Sequence, residues 1–224
     1  TKLADGDAWE SSRSMAVTPA GLIFGIGLAG VASSATSALE WHESRVDELA
    51  GMGSQSAVLD VNADGAAAGY LTVDGRRQGV VWAADGGRTV IETLAGKESE
   101  AQGINNGGDV VGLVQADADD FKPFLFRNGN AVTMDAVTGL ADAIARGVND
   151  AAHVVGYAWD RAAGETSERA IVWRGGSPTD LNTILDTDSV VRRARRINNK
   201  GQIAASGVHK GERRGFLVEL EPRG

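Results

Sequence analysis

The sequence predicts an all-β chain, a five-bladed β-propeller of four-stranded blades closed by the N-terminal strand completing the last blade. Three observations carry that prediction. A twelve-residue pattern recurs five times, each copy is followed by a short apolar or aromatic run, and the last copy stops one strand short.

The pattern is clearest in "LDVNADGAAAGY" (59–70), which aligns with "QGINNGGDVVGL" (102–113), "RGVNDAAHVVGY" (146–157) and "RRINNKGQIAAS" (195–206). A divergent first copy is "MAVTPAGLIFGI" (15–26). The anchors are Thr18, Asn62, Asn105, Asn149 and Asn198, spaced by 44, 43, 44 and 49 residues. Three residues past them stand Gly21, Gly65, Gly108, Ala152 and Gly201, and seven past stand Gly25, Gly69, Gly112, Gly156 and Ala205. Asn-x-x-Gly suits a tight turn between two strands, because the side chain bonds local backbone and the glycine accepts an unusual φ. The stretch "DVNADG" (60–65) also looks like the start of a calcium loop, but the twelfth position, which needs an acid, is Leu71. The other copies lack the acids of Asp60 and Asp64, so a structural turn is expected there.

The second block reads "ALEW" (38–41), "GVVW" (79–82), "PFLF" (123–126), "AIVW" (170–173) and "GFLV" (215–218). Turn residues and one more short strand follow it in the first four copies. Four strands in about 45 residues is the period of a propeller blade. The expected blades are 12–49, 56–94, 99–135, 143–185 and 190–222, the last completed by 1–5, within one domain spanning 1–224. Trp41, Trp82 and Trp173 share one repeat position and are read as scaffold.

A formal charge of −8 and a pI near 4.9 argue against nucleic acid as a partner. The chain has no cysteine, so disulfides and thiolate metal sites are excluded. His42, His153 and His209 have no paired spacing, and no metal or other cofactor is expected. The longest apolar run, 21–32, is too short and glycine-rich to span a bilayer, and no membrane partner is expected. The N-terminus lacks a basic-then-apolar region, which predicts a cytoplasmic protein, or a secreted one if a signal was trimmed.

With these motifs the chain resembles the HAF repeat family over roughly residues 13 to 220. The resemblance implies propeller-type repeats and an extracellular setting. It assigns no activity, because that family is mostly of unassigned function.

Functional residues are expected where the copies break their common pattern, near the starts of the innermost strands. Two, three and five positions before the anchors the chain places Asp60, Met15, Leu59, Gln102, Arg146, Arg195, Arg13, Glu100 and Arg193. Arg146, Arg195, Asp60, Glu100 and Gln102 are the candidate catalytic groups. Arg13, Met15, Leu59, Trp159, Arg193, His209 and Trp9 are the candidate ligand-binding ones. Guanidinium forks match carboxylate and carbonyl oxygens. The alternative for "RRARR" (192–196) is a structural one, pairing with Asp60, Glu100 and neighbouring acids.

The function expected from this pattern is a cofactor-independent cyclase or isomerase of biosynthetic, antibiotic-type metabolism. It would act on an apolar, oxygen-bearing small molecule such as a polyketide in a central pocket. Ordering a flexible substrate contributes on the order of seven kcal/mol in the best intramolecular cases. The alternatives are a non-catalytic ligand- or protein-binding module, lectin-like or scaffolding, and then a glycoside hydrolase. The last needs converging carboxylates, for which Asp60 with Glu100 is the obvious pair.

Overall fold

The computed structural model describes residues 9–28, 36–43, 45–49, 55–92, 98–117, 120–185 and 188–220. The expected closing segment, 1–5, lies outside them, as do Leu94 and residues 221–222 at two expected blade ends. The chain divides into two compact units, Thr1–Gly108 and Asp109–Gly224.

In the first unit, β1 (Ser11–Val17), β2 (Ile23–Leu28), β3 (Thr36–Trp41) and β4 (Val46–Glu48) form an antiparallel meander. β5 (Ser56–Val61), β6 (Ala67–Val73), β7 (Arg76–Trp82) and β8 (Arg88–Val90) form a second, and β9 (Ser99–Ile104) follows. In the second unit, β10 (Val110–Asp117), β11 (Asp120–Arg127) and β12 (Asn130–Thr133) pair antiparallel. So do β13 (Asp142–Val148), β14 (Val154–Trp159), β15 (Arg169–Arg174) and β16 (Ser177–Asp180). β17 (Ser189–Ile197), β18 (Gln202–His209) and β19 (Glu212–Glu219) complete the chain. With β9 counted in the third sheet, the described residues form five sheets of four, four, four, four and three strands.

Within each unit, neighbouring sheets pack face to face and their central apolar side chains fill the layers between them. Phe24, Val58, Leu71, Val80 and Trp82 fill the layer between the first two sheets. Val111, Ala145, Val154, Ile171 and Trp173 form one layer of the second unit, and Val155, Val172, Leu181, Val191 and Ile203 form another. The three repeat-position tryptophans are all buried, and the Trp173 indole N–H donates to the Asp135 carbonyl at 3.1 Å.

The anchor asparagines do more than close their own turns. Asn62 Oδ1 accepts from the Asp64 and Ala66 amides, and Gly65 donates to the Asn62 carbonyl with φ +87°. The other end of the same side chain, Nδ2, donates to the Asn105 carbonyl in the next repeat at 3.2 Å. Asn149 makes the equivalent bond to the Asn198 carbonyl at 3.1 Å. The neighbouring residue reinforces both links, with Ala63 N–H donating to Asn106 Oδ1 and Asp150 N–H to Asn199 Oδ1. In the Asn149 turn the glycine position is Ala152, held at φ +57°.

The residue three before the anchor is a β-bulge. The register of the innermost strand skips Met15 in β1, Leu59 in β5, Arg146 in β13 and Arg195 in β17. An unpaired residue bends the strand and re-aims its side chain. The carbonyl two residues before each of the first three bulges lies against the glycine seven past the anchor: a Cβ on Gly156 would stand 1.9 Å from the Ile144 oxygen. β17 carries a second bulge, at Arg192, and there Gly207 takes the close approach, since a Cβ on it would stand 2.0 Å from the Val190 oxygen.

Candidate functional site

The two bulges of β17 send Arg192 and Arg195 out of the ladder three residues apart. Across the intervening β18, β19 brings Arg213 and Arg214 just after its first residue, Glu212, and the segment ahead of β15 supplies Glu165 and Glu168. Together with Arg193 these residues line a cavity of about 370 Å³ within the second unit. Ser206, Val208 and Gly215 complete the part of the wall that matters chemically, and Val208 is its single large apolar residue among those described. A Cβ added at Gly215 meets no described atom within 4 Å, so the missing side chain leaves the cavity open there.

The charges are unequally matched. Arg193 binds Glu168 through two nitrogens, Nε at 2.6 Å and Nη2, and lies 5.3 Å over the Tyr157 ring. The Glu168 hydrogen bond outweighs the cost of burial and holds the Arg193 guanidinium above the usual arginine value. Arg214 pairs with Glu212. Glu165 is 3.8 Å from Arg193 and 3.9 Å from Arg213, both long contacts at an exposed carboxylate. The Arg192 and Arg195 guanidinium groups have no hydrogen bond or ion pair among the described residues, and Arg192 Nε is buried from water without an acceptor. A partly buried cation with an unpartnered Nε, Arg192, beside an exposed one, Arg195, both without an acceptor among the described residues, makes a site that favours an added oxyanion.

A wider hollow of about 570 Å³ lies nearby, between the 136–140 loop and β16. Its polar groups are already used: Asp160 and Asp180 accept from Ala162 and Asn182, while Ser167 and Thr183 donate to backbone carbonyls. The smaller cavity is therefore the better candidate.

The other residues singled out from sequence fall as follows. In the first unit, Asp60 Oδ2 accepts from the Ile104 amide at 3.1 Å, and Glu100 takes Arg77 at 2.5 Å and Gln102 at 2.8 Å. Arg13 and Met15 lie exposed on β1, Leu59 is a half-buried bulge residue, and Trp9 stacks against Gly27. In the second unit, the Arg146 carbonyl accepts from Arg196 at 2.7 Å. Trp159 packs on Tyr157 and Phe121, with ring centroids 5.5 and 6.3 Å away. His209 Nδ1 lies 2.9 Å from Ser189 Oγ. "RRARR" thus divides: Arg193 pairs with Glu168, and the Arg195 guanidinium has no partner among the described residues.

Sequence reasoning passed over Arg192, Arg213, Arg214 and Glu168. The density of arginine in 192–196 and 213–214 was the available signal. It also passed over Ser56, Ser99 and Asp142, buried side chains that accept the amides of Ala38, Gly79 and Phe121 and so tie the third strand of one repeat to the first strand of the next.

No family model matches the chain, and no curated protein does. Among solved structures it is similar to the β-propeller domain of the trilobed protease from Pyrococcus furiosus, a propeller of open velcro topology. That match has a TM-score of 0.61 at 10% identity and covers 96% of this chain and 69% of that one. A looser likeness is to a putative gluconolactonase, with a TM-score of 0.46, 11% identity, and 92% and 74% coverage. The fold is therefore all-β and propeller-like.

Proposed function

We propose that this chain is a five-bladed, HAF-type β-propeller closed by its N-terminal strand, and that the arginine-lined cavity of its fifth blade binds a small oxyanionic ligand. The observation that carries the binding reading is the pair of unmatched guanidinium groups, Arg192 and Arg195, on adjacent bulges beside one cavity. Arginine without an acceptor is poorly satisfied when its water is restricted, and a ligand oxygen supplies what the fold does not. Catalysis of the cyclase or isomerase type is a second reading. Its support is that Arg195, a guanidinium with no acceptor among the described residues, lines the cavity, and such a donor stabilises negative charge developing on a carbonyl oxygen.

The test is thermal unfolding with millimolar phosphate, sulfate, malonate or acetate at constant ionic strength. Wild type gains melting temperature with at least one of them. Arg195→Ala loses the gain while its anion-free melting stays within about 2 °C, because an exposed, unpaired side chain carries little stability. If no anion exceeds chloride, or Arg195→Ala responds like wild type, the cavity is not an anion site.

A further inference from the structure

We infer that the ligand of this cavity carries a phosphate monoester dianion, an inference that rests on the anion-site reading above. The charge balance leads there first. Once Glu168 is committed to Arg193 and Glu212 to Arg214, Arg192 and Arg195 remain without acceptors and Arg213 keeps only the 3.9 Å contact to Glu165. A monoanionic carboxylate leaves one of the two acceptor-less cations uncompensated, whereas a dianion matches both.

Geometry points the same way. The donors leave the scaffold at three separate points: one bulge of β17, the second bulge three residues on, and the start of β19 across the intervening strand. A planar carboxylate offers two oxygens in one plane. A phosphoryl group offers three around a tetrahedral centre, each able to take its own guanidinium. The walls argue against a large apolar ligand, since Val208 is the only sizeable apolar lining residue among those described. The organic part of the ester is therefore small and polar, with room beside Gly215.

The charged groups that bear on a pH test are the five lining arginines, which stay cationic, and the carboxylates Glu165 and Glu168; no histidine lines the cavity. Glycerol phosphate, sulfate, malonate and acetate are titrated into the whole chain at pH 5 and pH 7 by calorimetry. The monoester loses its second proton near pH 6, so a site selecting the dianion binds glycerol phosphate about tenfold more tightly at pH 7 than at pH 5. Sulfate, doubly charged throughout, binds alike at both and reports any titration of the protein itself. Gly215→Val, a strand-compatible change into open space, removes binding without loss of melting temperature, and Glu165→Gln tightens it. Glycerol phosphate bound no better than acetate, or with no change between the two pH values while sulfate is also flat, overturns the inference and leaves an oxyanion site standing. Malonate bound more tightly than the monoester at pH 7 assigns the site to dicarboxylates instead and also overturns it. Failure of all four probes removes the site itself.

Discussion

Arg193 and Glu168 form the mirror in charge of Glu100 and Arg77. Arg193 and Glu100 each stand five residues before an anchor asparagine, and Glu168 and Arg77 each stand two before the run that ends in a buried tryptophan. In both pairs the arginine lies over a tyrosine eight past an anchor, Arg77 over Tyr70 at 4.7 Å and Arg193 over Tyr157 at 5.3 Å. At these two positions adjacent repeats are therefore joined by one ion pair beside an aromatic ring, with opposite polarity in the two.

Reversing the polarity tests this. Glu168→Gln weakens the bidentate contact and lowers unfolding free energy by about 1–3 kcal/mol. Combining Arg193→Glu with Glu168→Arg recovers most of the loss, since the new arginine occupies the place that Arg77 takes beside Tyr70. A urea-denaturation cycle over the single and double variants measures the coupling. A double variant as unstable as the sum of the singles defeats the equivalence.

Ala152 sits in a left-handed turn that four sister copies give to glycine. Ala152→Gly relieves that conformation and stabilises by up to about 1 kcal/mol, whereas Gly65→Ala introduces it and costs about 1 kcal/mol. A Cβ on Gly65 comes no nearer than 3.6 Å to a neighbour, so backbone strain alone is tested. Opposite shifts in the denaturation midpoints are the expected outcome.

Asn149 joins two turns with one side chain. Asn149→Asp keeps the Oδ1 acceptor for the His153 amide but removes the donor to the Asn198 carbonyl. Asn149→Ala removes both. With Asn149 only 3% exposed, the aspartate variant loses about 1–2 kcal/mol and the alanine variant more. An aspartate variant as stable as wild type would show that the bond to the next repeat carries no weight.

Gly156→Ala puts a methyl group 1.9 Å from the Ile144 oxygen, a backbone atom with no room to retreat. The expected cost is roughly 3 kcal/mol or more, read from loss of cooperative unfolding at low urea.

The repeat, the strand order within each sheet and the tight turns were legible because they are periodic. Turn chemistry and burial act on every copy at the same offset. The bulges were not legible: Met15, Leu59, Arg146 and Arg195 stood out as unlike residues at one position, but nothing in an alternating pattern marks the residue at which the register slips. The cavity was half legible. Arg193 and Arg195 announced themselves by charge, while Arg213 and Arg214 come from the far side of a hairpin. Glu168 precedes a strand whose neighbour across the sheet interface lies 25 residues on, a pairing that only three-dimensional packing sets.

The double duty of the anchor asparagine fixes where such a chain can be cut and rejoined. A segment excised from one anchor to the next carries off one amide donor and one carbonyl acceptor together, and the remaining modules meet with their complement intact. A segment excised out of phase strands a donor on one side of the scar and an acceptor on the other, so recombination in such tandem genes is filtered toward gains and losses of whole units.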